Sequence, residues 1–216
     1  KVATTQLKIN GQLLNAQHPA WSPDSKFLAF SGENGEWHDI GLFNVESKEI
    51  TWVNESAGDD TQPAWSRSGE CIGWVHAEGA KTSFQSRTEP CRSVKDESGV
   101  INQKKVGDGV HYFPQFIDDG IVILYEDPRH PCDLWKINLK DDSMEQLTNS
   151  LPDELRDAKF IQPEEVWYAG KDGTQIPALL YHAKNSTRAV INIHGGPNWL
   201  YQFLWEPMMS HLASRG

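Results

Sequence analysis

Apolar residues in this chain come in short runs set between polar turns. Phe27-Leu-Ala-Phe30, Cys71-Ile-Gly-Trp-Val75, Ile121-Val-Ile-Leu-Tyr125 and Glu165-Val-Trp-Tyr168 each read as a strand, too brief for a helix. Ile40–Val45 and Asp133–Leu139 alternate apolar and polar positions. Each leads through a polar turn into a further short run, Glu49–Val53 or Glu145–Thr148. No run approaches the roughly 18 apolar residues of a membrane-spanning helix.

A repeat organises these runs. His18-Pro-Ala-Trp-Ser-Pro-Asp-Ser25, Gln62-Pro-Ala-Trp-Ser-Arg-Ser-Gly69 and Phe113-Pro-Gln-Phe-Ile-Asp-Asp-Gly120 resemble one another, and a weaker fourth copy runs Asp157–Pro163. The aromatic falls at 21, 65, 116 and 160, in steps of 44, 51 and 44 residues. Proline suits a strand entrance that needs no ladder donor. The Asp-Ser, Ser-Gly or Asp-Gly pair supplies a hairpin turn, and the aromatic is expected to fill the space beneath it. Four short strands per repeat is the size of a β-propeller blade, and roughly three blades are expected over residues 1–163. A β-sandwich would also use short strands, but here position, spacing and composition recur together. Thr82–Lys105 is polar, contains Pro90 and Gly99, and predicts an irregular loop in the middle unit.

After Pro163 the grammar changes. Val166–Gly170, the turn Lys171-Asp-Gly173 and Thr174–Tyr181 predict a hairpin on an Asp-Gly turn. Ala189-Val-Ile-Asn-Ile193 reads as a strand buried on both faces, and it runs straight into His194-Gly195-Gly196-Pro197. Trp205, Met208, Met209, Leu212 and Ala213 then recur at helical spacing, with Gly216 placed to cap the helix. Strand, glycine-rich turn and helix open an α/β domain, expected over 164–216. Glycines let backbone N–H groups approach a ligand closely. In α/β-hydrolases an HGGG-type loop after the third strand donates such a group to the oxyanion of the tetrahedral intermediate. Gly195 and Gly196 are therefore the candidate oxyanion donors, with His194 ordering the turn.

Charge narrows the function further. Twenty Lys and Arg against 30 Asp and Glu give a net charge of −10, spread without a basic stripe. That argues against nucleic-acid and anionic-membrane partners, whose phosphates require clustered Lys and Arg. Cys71, Cys91 and Cys132 form no paired motif, and their odd count predicts a reducing, cytoplasmic setting rather than a disulfide framework. The sequons at Asn54 and Asn185 carry little weight. His38, Asp39, His111, His130 and His182 are scattered, without metal-ligand spacing, and no phosphate-binding glycine motif occurs. No cofactor is expected. Trp21, Trp65, Trp135 and Trp167 sit at repeat or strand positions, which favours packing over carbohydrate stacking.

Taken together, Pro19–Asp24, Pro63–Ser66, Asp172–Tyr181, His194–Pro197 and Leu212–Gly216 resemble the prolyl oligopeptidase family of serine peptidases, in particular its acylaminoacyl-peptidase-like branch. The resemblance implies a propeller that restricts access to short peptide substrates, followed by an α/β-hydrolase domain working through an acyl-enzyme. It also implies that the Ser, Asp and His of the triad lie beyond Gly216, since no Gly-x-Ser-x-Gly occurs in these 216 residues. The chain alone is then expected to be inactive. Strand 189–193, with its expected neighbours missing, should leave an edge that promotes association, including with a second copy. The rival expectation is a TolB-like propeller that binds a protein partner without catalysis, in which 164–216 is an accessory tail.

Overall fold

The computed structural model describes residues 7–9, 12–88, 101–184, 186–196 and 200–216. Cys91, Pro90, Gly99, Asn185 and Pro197 lie outside them, as does half of the irregular loop expected between Thr82 and Lys105; the described half is strand instead, because 84–87 and 101–104 pair with each other in a ladder. A two-residue pair, β1 (Lys8–Ile9) and β2 (Gln12–Leu13), precedes three four-stranded antiparallel sheets. The first holds β3 (Ala16–Trp21), β4 (Phe27–Asn34), β5 (Trp37–Asn44) and β6 (Ile50–Trp52). The second holds β7 (Asp59–Trp65), β8 (Cys71–Glu78), β9 (Lys81–Thr88) and β10 (Ile101–Lys104). The third holds β11 (Val110–Ile117), β12 (Gly120–Asp127), β13 (His130–Asn138) and β14 (Met144–Gln146). Each meanders in chain order, so each is one propeller blade. Strand β7 lies against β3 on one side and β11 on the other, which puts the first strand of every blade at the inner edge of the fan.

The core sits between blades. Ala29, Ile40, Leu42 and Val53 of the first blade close on Ile72 and Trp74 of the second. Phe84 of the second closes on Ile121, Ile123 and Ile137 of the third. Two of the repeat aromatics, Trp65 and Phe116, serve this seam rather than the space under their own turns. Trp65 donates its indole N–H to the Ala20 carbonyl one blade back (3.2 Å), and the Phe116 ring stands edge-on to Phe84 at 5.8 Å. Trp21, in the first blade, is 58% exposed. Turn chemistry does repeat. The Ser22 hydroxyl donates to Asp24 (2.7 Å) and accepts the Phe27 N–H (2.9 Å), while the Ser66 hydroxyl accepts the Cys71 N–H (3.0 Å).

A second repeated device is invisible in composition. His18, Gln62 and Phe113, each three residues before the repeat aromatic and each followed by proline, all adopt positive φ (51°, 57° and 50°). The ladder slips at each of them, between Gln17 and Ala20, Thr61 and Ala64, and Tyr112 and Gln115. A pre-proline residue ordinarily prefers extended backbone. Here a β-bulge bends every inner strand at the same place. Blades two and three are joined there, since the Gln62 side-chain carbonyl accepts the Phe113 N–H.

The fourth repeat copy does not found a blade. Residues 156–163 carry no strand, and Phe160 instead packs edge-on against Trp205 at 4.4 Å. The next strands, β15 (Glu164–Ala169) and β16 (Gln175–Leu180), pair only with each other, around a turn in which Gly173 has φ 87° and the Asp172 carboxylate accepts the Thr174 N–H (3.0 Å). Residues 189–193, expected as a doubly buried strand, find no ladder partner among the described residues. Val190, Ile191 and Ile193 are more than three-quarters exposed. Helix α1 (Pro207–Arg215) begins two residues later than the periodicity suggests and buries Ser210 and Ala213, leaving Met208 and Leu212 largely in solvent. No helix among the described residues is long and apolar enough to cross a membrane.

Close packing at the seam makes one glycine critical. A Cβ on Gly73 would lie 2.3 Å from Cζ of Phe84, a ring with no solvent exposure held between blades. Gly73→Ala should destabilise the fold by about 1–3 kcal/mol through overpacking. Gly35→Ala, at φ 79° with open space around it, should cost only about 1 kcal/mol from backbone strain. Urea unfolding of both variants checks this, and equal midpoints for Gly73→Ala and wild type would contradict it.

Candidate functional site

The segment after β16 carries the candidate loop to the exposed His194-Gly195-Gly196 turn. His194 Nδ1 lies 2.7 Å from the Gly195 carbonyl oxygen. A carbonyl only accepts, so Nδ1 carries the proton and the ring holds the turn from one side. Tyr201 faces the same ring, centroids 6.3 Å apart, and its hydroxyl accepts the Asn192 side-chain N–H (2.6 Å). Gly196 has φ 141°, in the region that favours glycine, and a Cβ on Gly195 would meet nothing within 4 Å. Among the described residues neither glycine N–H meets an acceptor, so both remain available as donors.

The chain beyond this loop is anchored on the propeller. Phe203, 4% exposed, donates its N–H to the Ala80 carbonyl at the β8–β9 turn (2.9 Å), and the Lys81 ammonium stands 5.2 Å from its ring. Trp205 donates its N–H to Glu126 Oε2 (2.9 Å), and the Ser210 hydroxyl accepts the Ile161 N–H (3.0 Å). Tyr181 is pushed up to about 12, first by burial and then by the charge of Glu206. These anchors, and Glu126 above all, had no sequence signal: a lone glutamate ending a strand looks like solvent-facing charge. Trp205 was legible only as a member of a helical stripe, whereas it lies before the helix.

A second polar cluster fills the seam between blades one and two. The Asp60 carboxylate, fully buried, accepts from the Asn54 amide, the Ser56 hydroxyl and His76 Nδ1 (2.9 Å). Asp39 takes the Asn34 amide (2.8 Å) and the Ser56 N–H (3.3 Å), and burial pushes its carboxyl up. A shallow groove lined by Asn34, Gly35, Asp39, Glu55, Ser56 and Ala57 opens beside it. The scattered histidines are each engaged locally. His38 bonds Asp59, His130 bonds Asp127 and His182 bonds Glu164, while His111 sits between the Thr82 hydroxyl and the Val106 N–H. No group of three metal-ligating side chains converges among the described residues.

No protein-family model matches the chain. Among curated proteins it is similar to the uncharacterized peptidase YuxL of Bacillus subtilis, 22% identical over an alignment 200 residues long that covers 81% of this chain and 29% of that protein. Among solved structures it superposes on a puromycin-hydrolyzing peptidase of Mycobacterium tuberculosis with a TM-score of 0.71 at 14% identity, covering 96% of this chain and 35% of that one. An acylaminoacyl peptidase of Pyrococcus horikoshii gives 0.66 at 16% identity, covering 89% and 30%. TolB of Acinetobacter baumannii gives 0.54 at 14% identity, covering 80% and 39%. At these identities the likeness is one of fold. The chain has the propeller architecture that these peptidases and TolB share, and it spans between 29% and 39% of the length of these proteins.

Two histidines give stability opposite pH limbs. The hydrogen bond to Asp60 raises His76 above its ordinary 6.5. Its contribution is therefore full below pH 6.5 and is lost as pH rises through the folded value. Burial lowers His111 to about 4, so the unfolded chain takes up a proton between pH 6.5 and 4 that the folded chain refuses. Stability should fall over that acid interval by about 3 kcal/mol. Urea titrations from pH 4 to 8 check both limbs: His111→Asn should flatten the acid one and His76→Gln the alkaline one, and unaltered limbs would contradict the assignment.

Proposed function

We propose that this chain is the propeller and entry segment of a serine peptidase of the prolyl oligopeptidase type, acting on short peptides or acyl-peptides. The observation that carries the reading is continuity. The glycine loop follows a hairpin and leads into a segment packed on blades two and three, and superposition on a peptidase extends over 96% of the chain where TolB reaches 80%. In this reading a serine outside these residues attacks the acyl carbonyl, and a His–Asp pair outside them manages its proton. The N–H groups of Gly195 and Gly196 receive the oxyanion, in an acyl-enzyme mechanism completed by an α/β-hydrolase domain that residues 164–216 begin. His194 positions the loop through the Gly195 carbonyl and does not transfer the proton. The blades restrict access to short chains. The setting is cytoplasmic, in keeping with the free thiols of Cys71 and Cys132, and the exposed Val190, Ile191 and Ile193 are the surface through which the chain associates.

The second reading, a TolB-like module that binds a protein partner, draws on the likeness of the blades to TolB. Kinetics separate the two. On a small chromogenic aminoacyl substrate the full-length gene product should turn over, and the 216-residue chain should not. Gly196→Val, whose branched Cβ opposes φ 141°, should lower kcat by about 10²–10³ with little change in KM. Gly195→Ala, with open space around its Cβ, should retain most of the activity. A folded Gly196→Val enzyme with wild-type kcat would overturn the oxyanion role, and hydrolysis by the 216-residue chain alone would overturn the whole reading.

A further inference from the structure

Glu126 lies next to the end of β12, opposite Val110 at the start of β11, and is half-buried. Its two oxygens are used separately. Oε1 accepts the Tyr112 hydroxyl (2.9 Å) and Oε2 accepts the Trp205 backbone N–H (2.9 Å). One prong thus lies within the third blade, and the other reaches 79 residues along the chain. The blade does not require this carboxylate. The ladder position that Glu126 holds against Val110 is held in blade two by Ala77, against Asp59. In blade one the corresponding Glu33 accepts only a local bond from the Asn15 amide (3.2 Å). Tyr112 is itself fixed by the neighbouring bulge at Phe113, so the acceptor is aimed before the segment arrives.

The other end of the bond leads back to the glycine turn. Trp205 is wedged against Phe160 at 4.4 Å, and Phe203 is tied to the Ala80 carbonyl. Only a few residues upstream, Tyr201 faces the His194 ring. We infer that Glu126 is a two-pronged latch that fixes residues 200–206 on the third blade and, through them, positions the His194–Gly196 turn. Its effect on chemistry rests on the peptidase reading above; the latch itself does not.

A carboxylate accepting two N–H or O–H bonds is a stronger acceptor than a neutral carbonyl, so its loss should be felt locally as opening of the segment it holds. Amide hydrogen exchange on the 216-residue chain is the first measurement. Glu126→Ala should speed exchange over 200–206 by at least about tenfold while β8 and β13 keep their protection. Tyr112→Phe, which removes one prong and leaves the other, should give a smaller acceleration, and Glu126→Gln an intermediate one. If Glu126→Ala loses protection throughout the blades, Tyr112→Phe and Glu126→Gln carry the test. Unchanged exchange over 200–206 in variants that stay folded overturns the latch. In the full-length gene product, Glu126→Ala should lower kcat about tenfold with KM within twofold of wild type. Faster exchange with unchanged kcat overturns the positioning of the turn and leaves the peptidase reading standing. A wild-type protein without hydrolysis sinks that reading, and the exchange measurement still decides the latch.

Discussion

A four-stranded sheet has two faces to bury, and in this chain the sides that face one another across neighbouring blades supply each other's cover. The seam where Ile40, Leu42 and Val53 meet Ile72 and Trp74, and its counterpart around Phe84, Ile121 and Ile137, supplies the apolar burial that no blade has within itself. Several otherwise odd choices result from it. Gly73 is a glycine because the Phe84 ring lies where a Cβ would be. Trp65 and Phe116 each reach one blade back. The inner strands bend at a shared bulge so that β3, β7 and β11 can run side by side.

Asp60 shows how a charged group enters a seam, whereas the Trp74 indole N–H, buried in the same seam, meets no acceptor among the described residues. Asp60 is stripped of solvent yet meets three side-chain donors, and the Ser31 hydroxyl donates to the Asp60 backbone carbonyl (2.6 Å). His111 takes the opposite solution: burial keeps it neutral, with its Nε2 accepting a backbone N–H. The two seams therefore carry ionisable groups poised in opposite senses, a difference that no repeat consensus contains.

Much of the architecture was legible because local chemistry dictates it. The spacing of Trp21, Trp65 and Phe116 marked three blades, although only Trp65 and Phe116 are seam residues, and Asp172-Gly173 marked a hairpin, since a positive-φ turn needs a particular residue type. Where partners decide, the sequence misled. Phe160 stands in register with the repeat but packs on Trp205. The bulges at His18, Gln62 and Phe113 run against the backbone preference that the following proline sets, so proline alone pointed away from them. Of the candidate site, the glycine turn was readable from its motif. Its moorings at Ala80 and Glu126 were not, because a backbone carbonyl and a single strand-end glutamate leave no pattern.

Blades that touch only their neighbours form a nearly one-dimensional array, in which disorder entering at one end need not travel to the other. The segment holding Phe203 and Trp205 breaks that independence, for it crosses from the Ala80 turn of the second blade to Glu126 of the third. Like a staple across a joint, it makes the last two blades one cooperative unit. The seam between the first and second blades has no such staple among the described residues, so it is the joint along which the array opens first.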